Sequence, residues 1–140
     1  MTGSDSIDAE RAFARSARAR RRSAVMRRLL RRRAGDDRLA VYDERHVPRA
    51  SVERGIREIP LDAIRGTVEP SRAGMFDGDF RPAAAARSRW ERVWVAEHRG
   101  RVLPPISVAR VGDAYAVRDG HHRVSVARAR GAMTINATLA

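Results

Sequence analysis

One short stretch of the chain concentrates side chains that can do chemistry. It is Val117-Arg-Asp-Gly-His-His-Arg-Val-Ser-Val-Ala-Arg-Ala-Arg-Gly131. It reads as a strand end, an Asp-Gly turn, and a helix that opens on His121, His122 and Arg123 and stops at Gly131. The first N–H groups of a helix lack intrahelical acceptors and sit at the positive end of its dipole, so an anion is favoured there. Gly120 permits the sharp turn and close approach of a ligand. Arg123 brings a planar fork of donors suited to phosphate oxygens. His121 and His122 can donate hydrogen bonds or exchange a proton near neutrality. Asp119, Gly120, His121, His122 and Arg123 are therefore the candidate phosphate-binding residues. The same five residues also suit a plain reading, in which Asp119 caps the helix, Gly120 makes the turn and the histidines are half exposed.

Other chemistries fit less well. No metal site is expected: His121 and His122 are adjacent and do not share a helix face, and His46 and His98 lack ligand spacing. The nucleophile elbow G-x-S-x-G of serine hydrolases is absent from the sequence. With no cysteine, disulfides and thiolate chemistry are excluded as well. Met75-Phe-Asp-Gly-Asp-Phe80 places Asp77 and Asp79 on a loop between aromatics. They suit either Mg²⁺ on a phosphate tail or a turn flanked by buried Phe76 and Phe80.

The elements that would position the turn are legible around it. Pro105–Ala109 and Ala114–Val117 read as a strand pair joined by Gly112-Asp113. Thr134–Leu139 reads as a closing strand with Ile135, Ala137 and Leu139 on one face. Upstream, Ala83–Arg99 reads as a helix anchored by Trp90 and Trp94 at i, i+4. Ile56–Leu61 reads as an edge strand, since Pro60 cannot donate to a central ladder. Asp62 is expected to start a short helical turn over 63–65, and 66–82, rich in Pro, Gly and Asp, an ordered loop. Leu39–Tyr42 reads as a short strand. The fold class is α+β, a small mixed sheet with packed helices, preceded by a basic N-terminal helix.

In this context the turn resembles a known family. Leu103-Pro-Pro-Ile-Ser-Val, then Tyr115-Ala-Val-Arg-Asp-Gly-His-His-Arg-Val-Ser-Val-Ala, then Gly131, is similar to the N-terminal domain of ParB-type partition proteins and to the sulfiredoxins. Members carry a P-I-x-V strand, then a Gly-x-x-Arg turn leading into a helix. The turn is G-E-R-R in ParB proteins and G-C-H-R in sulfiredoxins; here it is Gly120-His121-His122-Arg123. The resemblance covers 55–140 and implies a nucleotide site, for CTP or ATP with or without Mg²⁺, with Arg123 on the phosphates. Its substitution is expected to abolish nucleotide binding and leave the fold intact. Position 121 is neither Cys nor Glu, so sulfiredoxin reduction chemistry cannot operate and the ParB turn is not reproduced. No helix-turn-helix follows the domain, so a stand-alone relative of chromosome-partition proteins is expected. Two functions follow: a nucleotide-binding, nucleic-acid-associated or regulatory protein, or a small phosphotransferase or NTP hydrolase with His121 or His122 as catalytic base or phosphoryl acceptor.

The charge distribution supplies the second partner. All 29 basic residues are arginine, and the formal net charge is +12. Residues 1–34 hold 11 arginines against 3 acids, a net of +8, so two thirds of the excess lies in the first quarter of the chain. A GC-rich genome would enrich arginine without any selection for binding, so this clustering says more than the total. Residues 1–35 form an Arg-rich helical arm, 36–54 a linker or peripheral segment, and 55–140 the compact domain. Ser6 is expected to cap the arm helix and Gly35 to end it, with Val25, Met26, Leu29 and Leu30 as its apolar stripe. Arg20, Arg21, Arg22, Arg27, Arg28, Arg31 and Arg32 could follow the backbone of DNA or RNA, contributing salt-sensitive affinity without sequence preference. There is no apolar run long enough to span a membrane and no secretory h-region. The expected setting is the cytoplasm, including the nucleoid.

Overall fold

The structure is a computed structural model describing residues 3–30, 37–43, 45 and 55–139. Six strands form one mixed sheet: β1 (Ala40–Val41), β2 (Arg57–Pro60), β3 (Ile64–Thr67), β4 (Ile106–Val111), β5 (Ala114–Asp119) and β6 (Thr134–Leu139). Their spatial order is β1-β3-β5-β4-β6-β2. β3 runs parallel to β1 and β5, β4 runs parallel to β6, and the β4–β5 and β2–β6 pairs are antiparallel. Helices α1 (Gly3–Leu29), α2 (Arg87–His98) and α3 (His121–Ala129) complete the fold. No helix among the described residues is long and apolar enough to cross a membrane.

Alternation along the central strands sorts side chains to two faces. Ile106 and Val108 of β4 and Val117 of β5 enter the main core with Ile64, Val124, Val126 and Trp90. Ala109 and Ala116 point to the other face, where with Val68 they make a small cluster edged by Tyr42 and Val111. Trp90 is fully buried, and its indole N–H donates to Ser125 Oγ at 2.8 Å, which locks α2 to α3. Pro60 lies on β2 at the sheet's edge, as its missing N–H requires.

α1 packs on the domain through its first half. Ala9, Ala12 and Phe13 are buried, and the Phe13 ring meets Trp90 edge-on at 5.6 Å. Asp5 pairs with Arg99 at 2.8 Å, tying the first turn of α1 to the end of α2. The helix therefore starts at Gly3, ahead of the expected Ser6 cap. The expected apolar stripe is also reversed: Val25, Met26, Leu29 and Leu30 are each at least half exposed. The contact face is made of small alanines and one phenylalanine, because alanine lets two helix backbones come close. Gly35 lies outside the described residues.

One strand departs from the sequence reading. Residues 64–67, expected as part of a helical turn and the start of a loop, form β3, between β1 and β5. The helical turn is a short 3₁₀ segment two residues earlier, Leu61–Ala63. Gly66 makes β3 possible, for a Cβ there would sit 2.3 Å from the Ala40 carbonyl oxygen. The rest of the expected loop is a 3₁₀ segment, Pro70–Met75, and a turn closed by a bridge between Phe76 and Pro82.

Candidate functional site

β3 and β5 run parallel, so their carboxyl ends, Thr67 and Asp119, open on the same side of the sheet. Crevices beyond the carboxyl ends of parallel strands are where open α/β sheets hold ligands. Here the chain leaves β5 through Gly120, which adopts φ +110, and enters α3 directly. Only glycine fits: a Cβ would lie 2.4 Å from Ile106 Cγ2, and the φ is in the left-handed region. Val124 N–H donates to the Gly120 carbonyl at 3.0 Å, so the helix ladder begins at the turn itself. No side chain caps this helix start.

The helix start forms one wall of a cleft of about 440 Å³, within the usual range for small-ligand sites. All five residues of the Asp119–Arg123 turn line it. So do Arg72 from the 3₁₀ segment after β3, Arg89 from α2 and Arg118 from β5. With Arg123, four arginines and two acidic residues, Glu69 and Asp119, line the cleft. Asp119 is bridged to Arg123 at 3.3 Å, so the balance is positive. Leu103, Pro104 and Val93 give the cleft an apolar side.

Both histidines are buried. His121 Nε2 lies 2.6 Å from Thr67 Oγ1, which also accepts the Glu69 N–H at 2.8 Å and lies 3.1 Å from the Val117 carbonyl oxygen. The Phe76 ring stacks over His121 at 6.4 Å and meets His122 edge-on at 5.2 Å. His122 Nε2 is buried without a hydrogen-bond partner among the described residues, a costly arrangement for a polar atom. Burial, then the charges of Arg72 and His122, lowers the His121 pKa from 6.5 to about 4, against the opposing pull of Asp119. Burial, then Arg89, Arg72 and Arg92, lowers the His122 pKa to about 4. Both rings are therefore neutral at pH 7, and each is a weak base. The half-exposed histidines of the plain reading do not occur.

Arg123 has a second role that its position in the sequence does not reveal. Its Nη1 donates to the carbonyl oxygens of Pro104 and Pro105, and Nη2 to Asp119. The side chain thus staples the segment before β4 to the turn, so its substitution must loosen the cleft wall as well as remove a cation.

Asp77 is fully buried and accepts from the N–H groups of Asp79 and Arg81 and from Arg81 Nη1. Its oxygens close the turn between buried Phe76 and Phe80. No cluster of three or more metal-ligating side chains occurs among the described residues. His98 stacks on Trp94 at 4.6 Å, away from the cleft residues, and His46 lies outside the described residues.

The α1 arginines divide. Arg27 is bridged to Asp37 at 2.6 Å and donates to Ser23, while Arg20 donates to the Asp37 carbonyl at 3.5 Å. The Arg27 guanidinium holds the Asp37 carboxyl below its ordinary pKa. Arg21, Arg22 and Arg28 are exposed to solvent. Arg31 and Arg32 lie outside the described residues.

Arg72 and Arg89 were not legible as site residues. They stand far from the turn in a sequence with 29 basic residues, and no local motif distinguishes them; Arg118 directly precedes Asp119 and could have been named with the turn.

Among solved structures, a sulfiredoxin from Arabidopsis thaliana is similar to this chain. The match has 22% sequence identity, covers 62% of this chain and 85% of that one, and has a TM-score of 0.43. No protein-family model matches the chain, and no curated protein matches it.

Proposed function

We propose that the protein binds a nucleoside triphosphate, CTP or ATP, by its phosphates at the N-terminus of α3, and works as a nucleic-acid-associated or regulatory protein. The observation that carries this reading is the convergence of four arginines from separate segments on an uncapped helix start. Phosphate oxygens would accept from the α3 amides and from Arg72, Arg89 and Arg123, and His122 would gain the partner its buried Nε2 lacks. Leu103, Pro104 and Val93 offer an apolar side for the nucleoside. Mg²⁺, if it accompanies the nucleotide, would be carried on the phosphates. The exposed arginines of α1 would add affinity for DNA or RNA without sequence preference. Equilibrium dialysis with labelled CTP and ATP tests the phosphate grip, using inorganic triphosphate as competitor. Displacement by triphosphate is expected; binding that triphosphate leaves untouched would move the recognition away from the α3 turn.

One observation favours a second reading, a phosphotransferase or NTP hydrolase. The His122 ring is neutral at neutral pH, and its Nε2 has no hydrogen-bond partner among the described residues. A neutral imidazole in that state can accept a phosphoryl group. His121 is less suited, because Thr67 occupies its Nε2. Release of inorganic phosphate that disappears in His122→Gln, with nucleotide binding retained, would favour this reading over binding alone.

A further inference from the structure

A second cavity, of about 740 Å³, lies between α1 and the C-terminal half of α3, with no residue in common with the cleft at the α3 start. Arginines from three separate segments line it: Arg15 and Arg22 of α1, Arg81 before α2, and Arg128 and Arg130 at the end of α3. Its single carboxylate, Asp79, is bridged to Arg81 at 3.1 Å. Arg15 and Arg22 are exposed, and neither has a partner among the described residues. They continue a row. Arg11, Arg15, Arg18 and Arg22 stand at i, i+4, i+7 and i+11, which places them within a narrow arc of the helix, opposite the buried Ala9 and Phe13. The row runs about 16 Å along α1.

We infer that this groove and the arginine row beside it form a track for a nucleic-acid backbone, a reading that rests on the nucleic-acid part of the proposed function and gives it a location. The lining selects for an acceptor-only polymer. Ser125 accepts the Trp90 N–H, which leaves its own hydroxyl proton to donate, and the guanidinium groups of the lining can only donate. The aromatic rings in the groove are capped by cations, Arg128 over Phe80 at 5.8 Å and Arg130 over Trp94 at 5.4 Å. No open apolar pocket remains for the side chains of an acidic peptide, and no free ring for a base to stack on. Phosphodiester oxygens need neither. The track lies beside the C-terminal half of α3 and leaves out Arg20 and Arg27, which are committed to Asp37.

The test compares the full chain with two double variants, Arg15→Ala/Arg22→Ala in the track and Arg21→Ala/Arg28→Ala outside the groove. All four positions are exposed, so both variants are expected to keep the parent's circular dichroism and thermal midpoint. Fluorescence anisotropy with a labelled oligothymidylate and with a labelled duplex, over a salt series, gives the slope of log K against log salt. Each lost phosphate contact flattens that slope by about 0.7 for a single strand and about 0.9 for a duplex. Arg15→Ala/Arg22→Ala should therefore lose about 1.4 or 1.8, and Arg21→Ala/Arg28→Ala close to nothing. The tighter-bound of the two probes at matched salt tells whether single strand or duplex is the natural occupant. An equal loss in both variants, a loss confined to Arg21→Ala/Arg28→Ala, or displacement of the oligonucleotide by polyglutamate at matched charge would overturn the track while leaving α1 a polyanion binder. No binding of either nucleic acid by the parent at low salt would remove the track and the nucleic-acid part of the proposed function together, without touching the nucleotide cleft.

Discussion

Lowering the pH should unfold this protein through two specific side chains. His121 and His122 are buried, and burial together with nearby arginines lowers each pKa from 6.5 to about 4. In the unfolded chain they titrate near 6.5, so between pH 6.5 and 4 the unfolded state binds protons that the folded state refuses. The stability at stake is fully present above pH 6.5 and is lost as pH falls toward 4. By pH 4.5 each histidine has removed about 2.5 kcal/mol, or about 5 kcal/mol for the two. That is a large part of the stability of a domain of this size. Urea titrations at pH 7.5 and 4.5 measure the loss. His122→Gln removes one titrating group and should recover about half of it, after the shared background from carboxylates is subtracted. If His121→Gln and His122→Gln both lose as much stability as the parent on acidification, the histidines are not buried as described and the geometry of the cleft wall is wrong.

Further outcomes follow from the same contacts. Gly120→Ala should destabilise by about 2–4 kcal/mol, from the left-handed φ and the collision with Ile106, read as a drop in urea midpoint. Thr67→Val removes a fully buried hydroxyl that serves both Glu69 N–H and His121, and should cost about 1–3 kcal/mol in thermal or urea unfolding. Phe13→Ala should cost about 3 kcal/mol and leave an unfolding transition in which α1 releases before the sheet, visible as early loss of helical signal. Burial and then nearby arginine charges hold the His122 pKa down; a bound triphosphate should offset the arginine part, so the imidazole signals in NMR should titrate at higher pH with nucleotide than without.

Much of the fold was legible where neighbouring residues specify each other. The β4–β5 hairpin, the Asp-Gly turn and α3 are contiguous, and each carries its own punctuation in Gly112, Gly120 and Gly131. The tryptophans at i, i+4 identified the buried side of α2 for the same reason. β3 was not legible, because Ile-Arg-Gly-Thr is four residues long and owes its strand conformation to β1 and β5 on either side. The α1 contact was misread because a hydrophobicity pattern favours Val25, Met26, Leu29 and Leu30, whereas close helix packing here selects Ala9 and Ala12. At the cleft, the turn residues could be named from the sequence because they are adjacent. Arg72 and Arg89 could not, since only the packing of α2 and the 3₁₀ segment against α3 brings them there.

The central claim is that the α3 start grips nucleotide phosphates, and titration calorimetry with CTP, ATP, GTP and UTP, with and without Mg²⁺, tests it most directly. Arg89→Ala is the informative variant: Arg89 is exposed and unpartnered among the described residues, so its loss should leave stability within about 0.5 kcal/mol. The account predicts saturable binding of CTP or ATP by the parent and about tenfold weaker binding by Arg89→Ala, the low end of the range for a charged hydrogen bond. Absence of heat with every nucleotide, or binding that Arg89→Ala does not weaken, would contradict it.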